Sequence, residues 1–476
     1  MPITWSRFSR TLSGFVKVPF VIIGGGLSGL AAAIRFARYS PDVLLLEKHH
    51  RVGGLNSYYY RKSFLLETGL HAITNFAPAE EKRAPLNKLL RQLKLRRKAL
   101  QIYPQTTSEI HFPGPSSLLF SNDFELLENE VEKKFPYSRK GFAELVRAID
   151  EYDPFVPCPF RSAKKFVTGY LQDERLTEML LCPLMYYGSS VENDMDLSQF
   201  VIMFRSLFQE GMFRPEGTIK TFLDMLCTHL ESLGGTIRLR SGVRKILLKG
   251  DTAWGVELDN GERVECDYLL STVGLSETHK LLGKEDSNRN EIRLGFFESI
   301  FLVDGRHCQR LPQDRTIIFF NRSVPFNYAR PTTAIDPQSG VLCLPGNFRG
   351  RPEQQFHEVR MTHLASYDYW RKRKKNPSAY AEAKEEAAQT SLAIAEDYIG
   401  QLSPYIAFQD SFTPITIRKF TSKKQGAIYG CPTKVKDGTI GLSNVFIAGT
   451  DQGFLGIVGS MLSGVSIVNQ HILPRL

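Results

Sequence analysis

The sequence predicts an α/β protein in which a discontinuous, Rossmann-like dinucleotide-binding domain is interleaved with a mixed α+β domain. Three observations predict it. An apolar, β-branched run, Val21-Ile22-Ile23, enters the turn Gly24-Gly25-Gly26-Leu27-Ser28-Gly29. The next apolar run, Val43 to Leu46, ends on an acid, Glu47. Near the other end of the chain, Val445-Phe446-Ile447-Ala448 runs into Gly449-Thr450-Asp451 and a glycine-spaced helical stretch with Gly453, Gly456, Gly459 and Gly464.

The first unit is a strand, a glycine turn, a helix and a second strand. Its strands read as buried and parallel because they are continuously apolar. Leu27, Leu30, Ala31 and Ile34 recur at helical spacing, and Ser40-Pro41 ends that helix. Gly24 permits the tight turn, Gly26 lets the backbone approach a pyrophosphate, and Gly29 lets helix and strand pack closely. The helix start at Leu27 and Ser28 offers unpaired N–H groups to phosphate. Glu47 lies eighteen residues beyond Gly29, placed to accept from ribose hydroxyls. A second glycine pair, Gly53-Gly54, follows within Arg51-Val52-Gly53-Gly54-Leu55-Asn56-Ser57. Nicotinamide binding has no need of glycines there. An extended flavin nucleotide does, because its pyrophosphate and ribityl chain pass close to this backbone.

These three segments resemble the FAD-binding parts of the flavin amine oxidase and phytoene desaturase superfamily. Within it, the chain is most similar to the phytoene desaturase, carotenoid isomerase and retinol saturase-like branch. The resemblance implies a GR2-type FAD domain over residues 1–75, 215–284 and 425–476. It implies a substrate- and membrane-facing domain over 76–214 and 285–424. By the same resemblance Glu47, with Lys48 beside it, holds the adenosine ribose, and Gly53, Gly54 and Leu55 line the pyrophosphate. Gly449 and Asp451 approach the ribityl–phosphate region, and the backbone at Ile457 and Val458 faces the flavin ring. Leu55 is a departure, since many superfamily members carry Arg at that position.

Tyr58 to Leu66 leads to Glu67-Thr68-Gly69-Leu70-His71, where the family has a hairpin ending in a small-residue turn against the flavin. Gly69 fits that close approach, and Glu67 and His71 are the candidate catalytic groups. From about 76 to 214 the β–α–β rhythm lapses into basic amphipathic helices and a turn with Pro154, Pro157 and Pro159. There follows a crowded apolar stretch: Leu197, Phe200, Val201, Met203, Phe204, Leu207, Phe208, Met212 and Phe213. Such a run packs a core or lines a tunnel for a long apolar substrate.

The cofactor domain resumes with a helix over Thr221 to Leu233, ended by Gly234-Gly235. Strands are expected at Thr236 to Leu239, Val243 to Leu247 and Trp254 to Leu258. After the Asp259-Asn260-Gly261 turn a short strand comes at Val264 to Cys266, and Asp267 to Thr272 returns to the sheet. In the family, the backbone matching Val243 contacts the adenine. Strands at Ile300 to Val303 and Thr316 to Phe320 belong to a sheet that roofs the active site, and Ala381 to Ile399 reads as a helix.

Composition bounds the rest. A chain of 476 residues exceeds one simple core. With 42% hydrophobic and 23% charged residues it carries no disorder signature. No run of about 18 apolar residues suggests a spanning helix. The first nineteen residues mix Arg7, Arg10 and Lys17 with Trp5, Phe8, Leu12, Phe15 and Val16, with no small-residue cleavage site after them. They read as a packed extension or as an arm on a lipid surface. Cysteines at 158, 182, 227, 266, 308, 343 and 431 show no paired spacing, which indicates reduced core thiols and a cytoplasmic setting. No His or Cys cluster has metal-ligand spacing, and Cys431 lacks a local motif for covalent flavin attachment.

The net charge is +10, concentrated at Arg91 to Lys98 and at Arg371 to Lys375, the latter just after Tyr369 and Trp370. No nucleic-acid motif accompanies these runs, so no nucleic-acid partner is expected. Aromatics beside a basic run fit a peripheral membrane contact, and a solvated charged face is the alternative. Oligomeric state leaves no mark in the sequence. The expected partner is an apolar small molecule, a carotenoid- or retinoid-like polyene that is desaturated, saturated or isomerised. Two alternatives stand beside it: a flavin amine oxidase, with Tyr429 and Phe454 as positional candidates for an aromatic cage, and a non-catalytic lipid carrier on the same fold.

Overall fold

A computed structural model describes residues 16–69, 72–114, 117–156, 158–285, 291 and 293–476. The expected lipid-facing arm with Trp5, Phe8 and Arg10 falls outside these residues, as does His71. Two seven-stranded sheets carry the architecture.

The first sheet contains β1 (Val16–Ile23), β2 (Val43–Leu46), β3 (Thr236–Arg238), β4 (Val243–Lys249), β5 (Thr252–Leu258), β6 (Arg263–Ser271) and β7 (Val445–Ile447). Its order is β3-β2-β1-β6-β5-β4, and β7 also pairs with β6. Strands β3, β2, β1, β6 and β7 are all parallel. The sequence suggested two separate segments around Cys266 and Asp267. They form one continuous strand, because β6 serves two partners along a single edge. Arg263 to Glu265 pair antiparallel with β5, and Leu269 to Ser271 pair parallel with β7. Asp267 stands exposed where the partners change over and makes a 2.8 Å ion pair with Lys17.

Alternate side chains of β1 enter different cores. Phe20 and Ile22 face a cluster with Leu30, Ala33 and Phe36, whereas Val21 and Ile23 face one with Leu44, Val256 and Leu269. The sheet is therefore covered on both faces, as its unbroken apolar strands require. Helices α1 (Leu27–Ala37), α2 (Ile219–Ser232) and α3 (Gly456–Ile467) supply the first cover. With α3's continuation, the stretch Gly456–Arg475 is long and apolar enough to cross a membrane, yet much of it is buried within the protein. The packing of α1 on α3 is backbone-close: a Cβ on Gly464 would lie 2.0 Å from the Ser28 carbonyl oxygen.

The second sheet has the order Ile406–Phe412, Gly295–Asp304, Phe356–Ala365, Ser339–Cys343, Ile317–Asn321, Ser108–His111, Ser117–Phe120. Its pairings are antiparallel except that of Ile317–Asn321 with Ser108–His111. Chain from before and after the β3–β6 segment thus shares one sheet. One face carries Phe301, Val303, Ile318 and Phe320 against Leu392, Ile394 and Ala395 of the helix Pro377–Ile399. Phe296, Ile317, Phe319 and Val341 belong to the largest apolar cluster, with the helices Glu174–Gly188 and Leu197–Phe204. The crowded apolar run is core here: Leu197 through Met212 are buried in this cluster, and Phe213 turns into the nucleotide-side core.

Two composition-based expectations change. Trp370 is fully buried, stacked on Phe297 with centroids 5.5 Å apart, and its indole N–H donates to the Ala334 carbonyl at 2.9 Å. It is therefore unavailable as an interfacial anchor for the Arg371 to Lys375 run. All seven cysteines are free thiols, but Cys158, Cys227 and Cys308 are only half-buried.

Gly464→Ala should lower the thermal midpoint, because a methyl against a backbone oxygen costs about 1–3 kcal/mol or more. Gly169→Ala is the control. Its added Cβ meets nothing within 4 Å, so helix propensity alone should stabilise it by up to about 1 kcal/mol. Equal midpoints for both variants in a melting experiment would contradict the close crossing.

Candidate functional site

The C-terminal ends of β1, β2, β6 and β7 lie along one rim of the parallel sheet, and β1 is flanked by β2, which follows it through α1, on one side and by the late strand β6 on the other. Such a switch point is where an open α/β sheet forms a crevice. Gly24 has φ +105°, and a Cβ there would meet Thr272 Oγ1 at 2.6 Å. Thr272 Oγ1 donates to the Ile23 and Gly24 carbonyls at 3.0 and 3.1 Å. Gly29 packs closer still, its Cβ position 2.1 Å from the Gly24 carbonyl oxygen. Gly26, by contrast, would meet nothing within 4 Å. It opens onto space at the start of α1, whose cap has no side-chain hydrogen bond.

Glu47 is buried and spans the turn. Its Oε2 accepts from the Gly25 N–H at 2.7 Å and its Oε1 from the His49 N–H at 2.8 Å. Each oxygen keeps a further lone pair for a hydroxyl donor. Beyond it, the Arg240 and Ser241 N–H groups donate to the His49 and Glu47 carbonyls. This brings the start of β4 alongside Lys48, and a Cβ on Gly242 would sit 3.2 Å from that of Lys48. Val243 therefore lies at the Glu47 end of the rim.

The second glycine pair packs on the first. The Gly53 N–H donates to the Gly25 carbonyl at 2.8 Å, Gly26 and Gly53 form a parallel bridge, and a Cβ on Gly54 would be 3.3 Å from Gly26 Cα. Gly53 and Gly54 both have positive φ, +116° and +59°. Gly69 faces the same loop, its Cβ position 2.8 Å from the Leu55 carbonyl oxygen, which also accepts from Thr68 Oγ1 at 2.8 Å. Leu55 is half-buried, and the nearest cation of this loop, Arg51, is spent on the Tyr58 carbonyl and ring.

At the other side of the rim, Gly449 (φ +100°) lies near Ser28 and Thr272, and its N–H donates to Ser463 Oγ of α3 at 2.6 Å. Asp451 is buried and ties segments together. Its Oδ2 accepts from the Leu275 N–H at 2.6 Å and its Oδ1 from the Cys431 N–H at 2.7 Å. Burial favours its neutral form. The ammonium groups of Lys423 and Lys434, with those two N–H donors, outweigh it and hold the carboxyl below the usual range. Cys431 itself is buried, which pushes its thiol up to about 12, and its Sγ donates to the Thr433 carbonyl at 2.7 Å. Ile457 and Val458 occupy the first turn of α3, behind Gly456, whose Cβ position is 3.2 Å from Thr74 Oγ1. Eight residues separate Gly456 from the Gly464–Ser28 crossing, so the starts of α1 and α3 stand roughly 12 Å apart along the α3 axis.

Glu67 follows the hairpin Tyr58–Arg61 and Phe64–Glu67. Its carboxylate accepts from the Arg214 guanidinium and from the Ile219 N–H at the start of α2, both at 2.5 Å. Arg360 donates to the Glu67 carbonyl at 3.0 Å and to Glu298 at 2.6 Å. Burial raises the Glu67 carboxyl, but Arg214, the Ile219 N–H and Arg360 bring it below the usual value. This candidate proton carrier is thus held as an ionised partner inside a closed network. Sequence reading missed Arg214, Arg360 and Thr272. Thr272 alone had a signal, since it ends an apolar strand at the same rim.

A flavin nucleotide fits what is present. Ser28 Oγ, at the start of α1, and Thr450 Oγ1, after β7, are buried without a hydrogen-bond partner among the described residues. Both stand where donors to a phosphate or ribityl chain are needed, beside the open Gly26 backbone and the Gly449 turn.

The profile of the family described as flavin containing amine oxidoreductase matches residues 27–294. The chain is 22% identical over 464 residues to the chloroplastic prolycopene isomerase of Arabidopsis thaliana, covering 89% of this chain and 76% of that one. It is 26% identical over 296 residues to the phytoene desaturase of Cercospora nicotianae, 55% of this chain and 46% of that one. Over 439 residues it is 21% identical to a 4,4'-diaponeurosporene oxygenase of Staphylococcus aureus, 86% and 87% of the two chains. Among solved structures, an oxidoreductase from Methanosarcina mazei aligns with TM-score 0.66 at 17% identity, covering 96% of this chain and all of that one. A putrescine oxidase variant aligns with TM-score 0.63 at 14% identity, covering 97% and 99%.

The Glu67 network gives a pH signature. Its folded pKa lies below the ordinary 4.5, so its stabilisation is present above that value and is lost as pH falls through the folded pKa. Glu67→Gln should cost about 3–5 kcal/mol near neutrality, and its deficit in melting temperature should shrink below pH 4.5. A deficit constant from pH 7 to pH 3 would show that the ion pair is not its source.

Proposed function

The chain belongs to the flavin-containing amine oxidoreductase family and is an FAD-dependent oxidoreductase; from that premise we propose that its substrate is an apolar polyene of the carotenoid or retinoid kind. One observation carries the reading. The start of α3 abuts the largest apolar cluster among the described residues: Leu455, the residue before Gly456, belongs to that cluster, and its side chain and that of Met203 both pack against Gly188. The curated relatives named above act, by their names, on carotenoids, which supports the same class. FAD, when bound, accepts or returns a hydride or electrons, so desaturation, saturation and cis–trans isomerisation all remain within its chemistry.

The chain's own residues would then bind, orient and exclude water. Glu47 would accept from the adenosine ribose, with Lys48 and the Val243 backbone beside it. The α1 start with Gly26, Leu27, Ser28 and Gly29, together with Gly53 and Gly54, would take the pyrophosphate. Gly449, Thr450 and the Asp451 segment would approach the ribityl chain, and the Ile457–Val458 backbone the ring. No acid or base is required of a hydrocarbon, whose conversion rests on proximity and a dry site. Glu67, locked to Arg214, would position the hairpin and α2 rather than carry protons. An amine oxidase cage draws no support from its positional candidates. The Tyr429 hydroxyl is committed to the Tyr186 carbonyl, its ring packs edge-on against Phe296 at 5.9 Å, and Phe454 stacks on Phe155. An apolar substrate would also be drawn from a membrane, which makes the enzyme a peripheral membrane protein in this reading.

Incubating holoenzyme with polyenes and with a panel of amines, in air and after reduction, tests the substrate class. Conversion of a polyene is expected, and peroxide evolved with an amine and none of the polyenes altered would overturn the reading. Glu47→Ala should weaken FAD retention about 10–100-fold through the lost hydroxyl acceptor. Flavin absorbance after gel filtration measures it, and full retention would remove Glu47 from the ribose.

A further inference from the structure

Glu210 is a half-buried carboxylate for which the nucleotide site has no use. The end of the helix Leu197–Phe204 sets its place. That helix finishes in a π-helical turn, Arg205–Gln209, so the Glu210 N–H donates to the Arg205 carbonyl, five residues back, at 2.8 Å. The wide turn leaves the Ser206 carbonyl to accept from the Asn75 N–H at 3.0 Å. On the far side of Glu210, the Phe76 N–H donates to the Gly211 carbonyl at 3.2 Å, and Ile73 and Thr74 pair with Phe213 and Met212. Backbone bonds on both sides thus clamp Asn75 against Glu210. Asn75 takes φ +66°, a left-handed conformation that Asn tolerates better than most residues. Single π-helical turns concentrate at functional sites.

The side chains carry the connection further. The Asn75 amide donates to Glu210 Oε2 at 2.7 Å, and Thr74 Oγ1 donates to Asn75 Oδ1 at 3.3 Å. Thr74 is buried, and its Oγ1 lies 3.2 Å from where a Cβ on Gly456 would stand. Two hydrogen bonds therefore lead from a carboxyl at the protein edge to the first residue of α3. Both donors point toward Glu210, so a negative charge there polarises the pair and turns the electron-rich side of Thr74 Oγ1 toward α3. Burial pushes the Glu210 carboxyl up to about 7, against the pull of the Asn75 amide. Glu81, exposed on a neighbouring turn, raises it further, and Arg205 on its own turn lowers it. The Arg205 guanidinium is engaged by the Asp150 and Tyr152 carbonyls at 3.1 and 2.8 Å. The acids of adjoining elements have other partners: Asp150 accepts from Gln209 Nε2 at 2.9 Å and Asp123 from the Glu125 N–H at 3.1 Å.

We propose that Glu210 is a positioning residue which, through Asn75 and Thr74, ties a proton at the protein edge to the charge of the flavin ring at the start of α3. The inference rests on the proposed placing of that ring, and no polyene enters it. A hydride delivered to the site adds one net negative charge there. A proton taken from water by the Glu210 carboxylate offsets it, and returns to water when oxygen or another two-electron acceptor removes the electron pair.

Midpoint potentials of the bound flavin, measured across neutral pH in wild type and in Glu210→Gln, test this coupling. Gln keeps an acceptor for the Asn75 amide. The two potentials should coincide at acid pH, where both side chains are neutral, and diverge as pH rises through about 7, the wild type becoming the more negative. Asn75→Gly, which accepts the positive φ, should flatten the wild-type curve toward that of Glu210→Gln. Thr74→Val reads the ring's place separately, by a shift in flavin absorbance and potential at every pH. Melting reads Glu210 itself. Its folded pKa lies above the ordinary 4.5, so its stabilisation is full below that value and is lost as pH rises through about 7. The wild-type melting midpoint should accordingly fall relative to that of Glu210→Gln over this interval. Parallel potentials in wild type and Glu210→Gln, with Thr74→Val shifted, overturn the inference and leave the ring at α3. An Asn75→Gly curve identical to wild type, or a melting difference constant with pH, overturns it too. An unshifted Thr74→Val removes the ring from α3 and takes this inference with it.

Discussion

Backbone-to-backbone contact at a few glycines is the constraint on which this structure depends. Gly29 against the Gly24 carbonyl seats α1 on β1, Gly464 against the Ser28 carbonyl seats α3 on α1, and Gly53 bonded to Gly25 seats the second glycine turn on the first. Each approach is closer than any side chain permits, so the three parts of the chain that form the rim cannot be respaced by repacking side chains around them. The same contacts leave Gly26 facing open space and Gly449 in loose contact with Ser28 and Thr272, with the hydroxyls of Ser28 and Thr450 buried without a partner among the described residues. Close packing and cofactor access are thus two faces of one arrangement: where backbone meets backbone the fold is locked, and where it does not a phosphate can enter.

Buried carboxylates do the second half of the assembly, in different ways. Glu47 and Asp451 each accept two backbone N–H groups, and each closes a turn that would otherwise present unpaired donors. Glu67 caps α2 and pairs with Arg214, which joins the hairpin before it to the strand Met212–Pro215. An ionised group in such a setting is stable only while its partners remain, and this makes Glu67 unsuited to exchanging protons during turnover. A carboxylate held in this way serves the fold rather than proton transfer, which a hydrocarbon substrate would not call for.

The nucleotide half was legible in the sequence because its signals are local. Turn, helix start, acid and second glycine pair occupy about thirty consecutive positions, and each residue type answers a nearby steric or hydrogen-bonding need. Long-range partners were not legible. Arg214 and Arg360 look like surface charges until the fold buries them, and the Cys266–Asp267 junction looks like a strand break until β6 is seen to serve two partners. Residues 197 to 213 showed the limit most plainly. Their composition suits core and tunnel equally, and only the packing of Leu197 through Met212 beneath the second sheet identifies them as core.

The aromatic and basic residues make the same point for the surface. Trp370 beside Arg371 to Lys375 has the composition of an interfacial anchor, yet its ring lies flat on Phe297 in the interior, so the helix Tyr367–Arg373 turns Asp368 and its cations outward instead. The loop at Phe155 reads in sequence as a proline-rich turn, yet it leaves Phe155, Val156 and Phe160 uncovered. The difference lies in what each backbone can bury. A helix with one apolar face against a sheet buries its tryptophan by geometry. A turn that carries Pro154 and Pro159 has no regular face to fold inward, and its Phe155 finds only the edge of Phe454. Exposure of that ring follows from the turn itself, and its stacking on Phe454 ties the turn to the residues that lead into α3.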